Sequence, residues 1–275
     1  MNDYEQDYSV LLTHVICAGE KRDTRAGPTR SIFGTILKID CLEYGWFPVL
    51  TQRKLYPQTV WGELAAFLTG TTKLQVFRDF GCNYWDANAV PWFENHGRIP
   101  DNYTVGKIYG YQWRHFGGRY DQLRALIQEL RTNPKGRRHL LTTYNPAELH
   151  EMCLPPCHLL AQFNASNFGK LDCIVTMRSV DLCLGLPNDV ILYATLMLLI
   201  CNEVDLQPGM LTFMMGDTHV YKNHIPVIDT QFDKPQHPLP AYSLSPKSTL
   251  NTFVPGDIAL INYNHSGVLK YEFNV

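Results

Sequence analysis

Cys157 stands in the run Leu154-Pro155-Pro156-Cys157-His158, where two prolines stiffen the backbone ahead of a thiol. A cysteine acts as a nucleophile through its thiolate, and a neighbouring arginine or histidine could lower its pKa. On its own such a cysteine reads first as an inert core thiol, because free cysteine packs well in apolar interiors. Its company makes it informative. Arg137 and Arg138 follow the turn Asn133-Pro134-Lys135-Gly136, Arg178-Ser179 ends an alternating apolar stretch, and Arg25 lies in a loop with glycine and proline. Guanidinium groups grip phosphate oxygens through paired N–H donors. Each arginine taken singly reads as solvated charge; together they suit a small phosphorylated substrate.

The composition bounds the reading. In 275 residues, 45% are hydrophobic, 18% charged and 12% aromatic, an ordinary globular make-up. A net charge of -2 provides no basic field for a nucleic-acid polymer. No charged leader precedes an apolar stretch, and the longest apolar run, Val190 to Cys201, is too short to span a bilayer. No membrane role is expected. Eight cysteines form no C-x-x-C pair, so reduced thiols, a cytoplasmic setting (host cytoplasm for a viral chain) and no metal site are expected.

Several elements must position these groups. Trp61, Leu64, Ala65 and Leu68 recur at helical spacing over 58–69, as do Leu123, Leu126, Ile127 and Leu130 over 121–131. Leu171, Cys173, Val175 and Met177 alternate as in a strand, with a neighbour expected over 159–165. Gly185, Pro187 and Asn188 break the chain before an apolar helix at 190–201; a strand over 210–215 precedes a polar loop at 216–223. Residues 86–105, rich in Asn, Pro and Gly, read as a surface excursion. Strands and helices mix without β-α alternation, which predicts an α+β fold. No repeat or long linker divides the chain, so residues 1–275 read as one domain.

The order of the motifs resembles the thymidylate synthase superfamily. The sequence carries R-A-G-x-x-x-S-I-F-G (25–34), F-P-V-L-T (47–51), G-E-L-x-x-F-L-x-G (62–70), W-D (85–86) and Y-G-x-Q-W-R (109–114). Then follow R-R (137–138), L-P-P-C-H (154–158), R-S-x-D-x-x-L-G-L-P (178–187) and G-D-T-H-x-Y-x-N-H (216–224). The resemblance implies a mixed β-sheet covered by helices, a homodimer formed through the sheet face, and 5,10-methylenetetrahydrofolate as co-substrate. It implies Cys157 as the nucleophile that adds to C6 of a pyrimidine nucleotide, with His158 beside it. Glu63 would order water and move protons near C4, and Tyr109 would assist proton removal at C5. Arg25, Gln162, Arg178, Ser179, His219 and Tyr221 are implied for the nucleotide, the last two at the sugar 3′-hydroxyl. Counting without a one-residue gap puts Thr24 in the place of Arg25. Arg137 and Arg138 would reach in from the second subunit. Trp85, Asn88, Asp181, Leu184, Gly185 and Val275 are implied for the folate.

The chain departs from that family's pattern at Leu184-Gly185-Leu186-Pro187-Asn188-Asp189-Val190. Thymidylate synthases read L-G-x-P-F-N-I there, and the asparagine pairs with the uracil edge. Asp189 takes its place. An ionised carboxylate cannot donate to uracil O4, whereas it accepts from a cytosine amino group, a pairing also used in DNA readout. The Asn-Asp pair resembles the deoxycytidylate hydroxymethylase branch, which implies dCMP as substrate and 5-hydroxymethyl-dCMP as product. Asp189 also suits a helix N-cap. Asn88, where a folate-side tryptophan is often found, and the altered tail favour water addition. Trp85, Leu154 and His158 favour hydride reduction to 5-methyl-dCMP, and uridylate methylation is the remaining alternative.

Overall fold

The computed structural model describes residues 3–95 and 103–274. Helix α1 (Asp3–Ala18) leads into the hairpin β1 (Glu20–Thr24) and β2 (Gly27–Ile39). Helices α2 (Pro57–Thr69), α3 (Leu74–Asp79), α4 (Asp86–Asn95), α5 (Tyr109–His115) and α6 (Gln122–Thr132) follow. The chain then forms β3 (Leu140–Thr142), β4 (His158–Ala165), β5 (Lys170–Asp181), α7 (Gly185–Val204) and β6 (Gln207–Tyr221). Helix α8 (Ile225–Phe232) and the small hairpin β7 (Ala241–Leu244) and β8 (Ile258–Ile261) complete it.

A six-stranded sheet runs β1-β2-β6-β5-β4-β3, with β5 and β6 parallel and the other pairs antiparallel. The parallel pair requires a crossover, and α7 provides it. This is the α+β architecture, a mixed sheet covered by helices, that the motifs implied. One face of the sheet packs on α7, whose side chains from Val190 to Cys201 are buried. By length and composition α7 could cross a membrane, but here it is the core helix. Trp61 Nε1 donates to Thr195 Oγ1 at 3.0 Å, fixing α2 against α7. Those two helices carry Glu63 and Asp189.

Three expected boundaries move. Helix α7 begins at Gly185, not after a break: Pro187 lies in its first turn, where a missing N–H costs no helical bond. Strand β6 continues through the expected loop to Tyr221, because 217–221 pairs with β2 and 217–219 pairs with β5 as well. The excursion at 86–105 contains helix α4 despite Pro91, with Ala89 and Phe93 buried; residues 96–102 lie outside the described residues.

Candidate active site

Cys157 is half-buried at the start of β4, held from three sides. Arg178 on β5 donates from Nε to Pro156 O (2.7 Å) and from Nη2 to Pro155 O (2.8 Å). Its Nη2 lies 3.8 Å from Cys157 Sγ. Arg178 N–H donates to Cys157 O at 2.8 Å, and Cys157 N–H donates to the Tyr109 hydroxyl at 2.8 Å. The strands close tightly here. A Cβ at Gly216 on β6 would lie 2.8 Å from Arg178 O, so only glycine lets β6 pass.

Burial pushes the Cys157 thiol up, Arg178 and Tyr109 pull it down, and Asp189 and Asp181 push it up again; the net direction is up. This corrects the simple expectation of an activated thiolate. His158 gives no help: burial holds its ring down to about 3, so it is neutral. The thiol therefore stays protonated at neutral pH until a ligand changes its surroundings.

His158 is sandwiched. Its ring stacks on Tyr109 (3.9 Å between centroids, 15°), and its Nδ1 lies 2.7 Å from the Tyr193 hydroxyl. Its Nε2 faces Asp189 Oδ1 at 3.9 Å. Asp189 is the fifth residue of α7, past the position that caps a helix, and the cap residue Leu184 makes no side-chain bond. The N-cap reading of Asp189 fails. Among the described residues its carboxyl makes no hydrogen bond, and its side chain stays 19% exposed, so a ligand can reach it. Burial, then the charges of Glu63 and Asp181, push Asp189 well above the usual carboxylate range. The direction favours the protonated carboxyl over the ionised one.

Glu63 is buried on α2, and its Oε1 accepts from Trp85 Nε1 at 2.7 Å. Burial raises its carboxyl to about 7 against the pull of Tyr84 and Trp85. A carboxyl poised there can take or give a proton near neutrality. Trp85 is packed with Phe67, Phe77 and Tyr109 rather than standing open. Asn88 is half-buried on α4.

On β6, His219 Nδ1 lies 3.2 Å from Asp217 Oδ1, and Asp217 also pairs with Arg22 at 2.8 Å and accepts from Ser31 Oγ at 2.7 Å. Ser179 lies opposite Asp217, and Asp181 opposite His219. The positive charge of Arg25, in the β1–β2 turn, acts on the half-buried Tyr221. Thr24 Oγ1 is engaged with Gly27 O at 2.7 Å, which leaves Arg25 as the side chain free to extend.

Asp181 Oδ1 accepts from the N–H groups of Cys183 (2.8 Å) and Leu184 (3.4 Å), shaping the turn into α7. A Cβ on Gly185 would fall 3.7 Å from Asp181 Cβ and 3.9 Å from Asp189 Oδ2. These are ordinary van der Waals contacts, and they place Gly185 between the two acids. Asp181, Cys183 and His224 bring potential metal-ligand atoms within 4.8 Å of one another. The Asp181 oxygen capping this turn and the His224 Nε2 bond to Glu272 O (2.8 Å) account for them as packing.

Three implied residues are not brought to the site by this chain's own fold. Gln162 is exposed on β4, opposite Ile174 and Leu140, on the sheet face away from His158. A bulge between His158 and Leu160 is the reason: it reverses the alternation, so His158, Ala161 and Phe163 point inward and Gln162 outward. Arg137 and Arg138 are exposed just before β3, whose Leu140 pairs with Gln162. Arg138 continues that register beyond Gln162, roughly 20 Å along the strand from His158, and so does not reach the Cys157 of its own chain. Val275 lies outside the described residues. Sequence reasoning missed Asp217 and Tyr193. Tyr193 stands four residues after Asp189, a spacing that shares one helix face.

Known proteins match this arrangement across its length. A sequence model of the family described as thymidylate synthase matches residues 6–275. Thymidylate synthase 1/2 of Encephalitozoon cuniculi is 35% identical over 98% of this chain and 97% of its own length. Bifunctional dihydrofolate reductase-thymidylate synthases of Paramecium tetraurelia and Zea mays are each 34% identical, over 98% and 94% of this chain. The chain spans 61% and 52% of those two proteins. With a cysteine, a neutral histidine and two raised carboxyls gathered at one end of this sheet, and a match running from residue 6 to the C-terminus, the chain belongs to the thymidylate synthase family.

Proposed function

We propose that this protein transfers a one-carbon unit to C5 of a cytidine nucleotide, dCMP, and releases 5-hydroxymethyl-dCMP. The family uses 5,10-methylenetetrahydrofolate as co-substrate; it supplies the one-carbon unit at the oxidation level of formaldehyde. Asp181, Leu184 and Gly185 at the turn into α7, with Trp85 and Asn88, are the residues that would hold it. Cys157 adds through sulfur to C6 of the pyrimidine, which makes C5 nucleophilic. The thiol proton must leave as the sulfur attacks. Arg178, which touches both the sulfur and the carbonyls before it, is placed to stabilise the thiolate. Glu63 exchanges protons near C4, and Tyr109, against Cys157, stands at the proton to be removed from C5.

Asp189 is the observation that carries the base assignment. A neutral carboxyl has one donor and one acceptor. Cytosine offers N3 as acceptor and its 4-amino group as donor, so both contacts are made. The same proton neutralises charge that enters the ring at N3 once Cys157 has added. Half-buried Asn88, a polar side chain on the folate side, supports water addition over hydride reduction.

A second reading, methylation of dUMP, is supported by the relatives, which are named thymidylate synthase. Mass spectra of the products from dCMP, CMP and dUMP, each with the folate, separate the readings. A product from dUMP alone would overturn the cytidylate assignment.

A homodimer is part of the proposal, since thymidylate synthases are homodimers. Phe33, Ile36, Ile174 and Met214 leave an apolar patch on the outer sheet face, 82%, 57%, 39% and 44% exposed. Covering it with a second copy would bring that copy's Arg137 and Arg138 toward the phosphate.

A further inference from the structure

A neutral carboxyl reads cytosine only if its proton sits on the correct oxygen. Moving the proton to the other oxygen gives the arrangement that uracil, with N3–H and O4, requires. The cytidylate reading, on which this inference rests, therefore needs something that fixes the proton.

The polar groups around Asp189 are few. Glu63 on α2 and Asp181 at the end of β5 face it as acids, Cys157 lies at the start of β4, and Tyr109 on α5 covers the other face of His158. Among the described residues, the ring nitrogen recorded against a carboxyl oxygen is His158 Nε2, 3.9 Å from Oδ1. Behind it stands Tyr193, whose hydroxyl is buried and touches His158 Nδ1 and no other polar partner among the described residues.

We infer that Tyr193 is a positioning residue that sets base specificity by fixing the tautomer of His158. Hydrogen bonding decides between the two tautomers. If Nδ1 carried the imidazole proton, the Tyr193 hydroxyl would accept it and its own buried proton would have no acceptor, which is unfavourable. If Tyr193 donates to Nδ1, this is avoided and the single imidazole proton moves to Nε2. Nε2–H is then 3.9 Å from Asp189 Oδ1, too far to bond it but close enough for its positive end to favour the bare oxygen there. The acid proton is left on Oδ2.

With the exocyclic group of the base on the His158 side, Oδ1 accepts from the cytosine amino group while Oδ2–H donates to N3. Uracil meets the reverse: O4 faces Oδ1, and N3–H faces Oδ2–H. The pair Tyr193 and His158 thus turns an acid that could read either base into one that reads cytosine.

The test is Tyr193→Phe, which removes one oxygen from a well-packed ring. Nitrogen-15 NMR of the His158 ring should show the Nε2–H form in the wild type and a mixture in the variant. The ratio of kcat/KM for dCMP over dUMP should fall at least about fivefold, chiefly through a rise for dUMP. His158 found as the Nδ1–H form overturns the inference. So does a parallel fall for both substrates at constant ratio, since a merely structural tyrosine would lower both alike. A wild type that prefers dUMP overturns the cytidylate reading and this inference with it. A wild-type dCMP preference that Tyr193→Phe leaves intact overturns the inference alone.

Discussion

Asp189→Asn is the most direct perturbation of base recognition. The wild-type carboxyl makes no hydrogen bond among the described residues, and His158 Nε2 stands 3.9 Å away. The substitution therefore changes what a ligand meets and little else. An amide places a fixed donor where O4 of uracil would lie, and it has no acid proton to give to N3 of cytosine. One hydrogen bond made with the edge of one base and lost from the other is worth about 1–3 kcal/mol. Taking a net 1.4 kcal/mol, the ratio of kcat/KM for dUMP over dCMP should rise at least about tenfold. Both substrates are assayed by release of tritium from C5, with product masses as a check. Stability should not fall, because Asp189 caps no helix and Asn and Asp have similar helix propensities, and removing a carboxyl that burial raises should add stability at neutral pH. An unchanged ratio in a folded variant refutes Asp189 as the reader of the base. A loss of stability with unchanged preference would assign it to the scaffold.

Cys157→Ala should abolish turnover and tritium release while nucleotide binding, measured by calorimetry, persists; residual turnover near wild type would remove the covalent mechanism. Mixing inactive Arg138→Ala with inactive Cys157→Ala should restore activity, because one hybrid site regains both groups. No recovery after demonstrated subunit exchange would mean that each site is built from one chain. Glu63 contributes a pH signature. Its folded carboxyl is raised from 4.5 to about 7, so the native state holds the proton more tightly and loses stability as pH rises through that window. Glu63→Gln should therefore gain stability relative to wild type between pH 5 and pH 8, by up to about 3 kcal/mol, and should lose activity. Chemical denaturation at the two pH values checks the sign, and a gap that shrinks as pH rises contradicts it. Deprotonation of Asp189 should in turn lower dCMP turnover at alkaline pH, a decline that Asp189→Asn should abolish.

Much of this site was legible before the fold was known, for reasons that differ by residue. Helices α2 and α6 announce themselves through apolar spacing, and Asp121 caps α6 by accepting from Arg124 N–H at 2.9 Å. Cys157, Arg178, Glu63 and Tyr109 were found through motifs, and the structure shows why they work together: α2, α5, β4 and β5 converge at one end of the sheet. Protonation states were not legible. The neutral forms of His158 and Asp189 depend on burial created by distant segments, which no local spacing records. Gln162 was misplaced because counting by two along β4 assumes an uninterrupted pleat. The start of α7 was misread because Gly185 and Pro187 look like breakers, yet both are tolerated in a first turn.

The bulge at His158 has a bearing on which lengths of chain can drift. Strand β4 presents His158 inward to the site, then Ala161 and Phe163 inward to the core, while Gln162 faces outward beside the apolar patch. One surplus residue keeps these faces in phase. Removing one residue beyond the bulge, Gln162, would leave β4 able to pair with β5, yet it would turn Phe163 outward and drive Asn164 into the interior. The catalytic end, the core and the outer surface would fall out of step together. Insertions and deletions between Ala161 and Ala165 should thus be selected against far more strictly than substitutions, and length variation should collect in segments that hold no such phase.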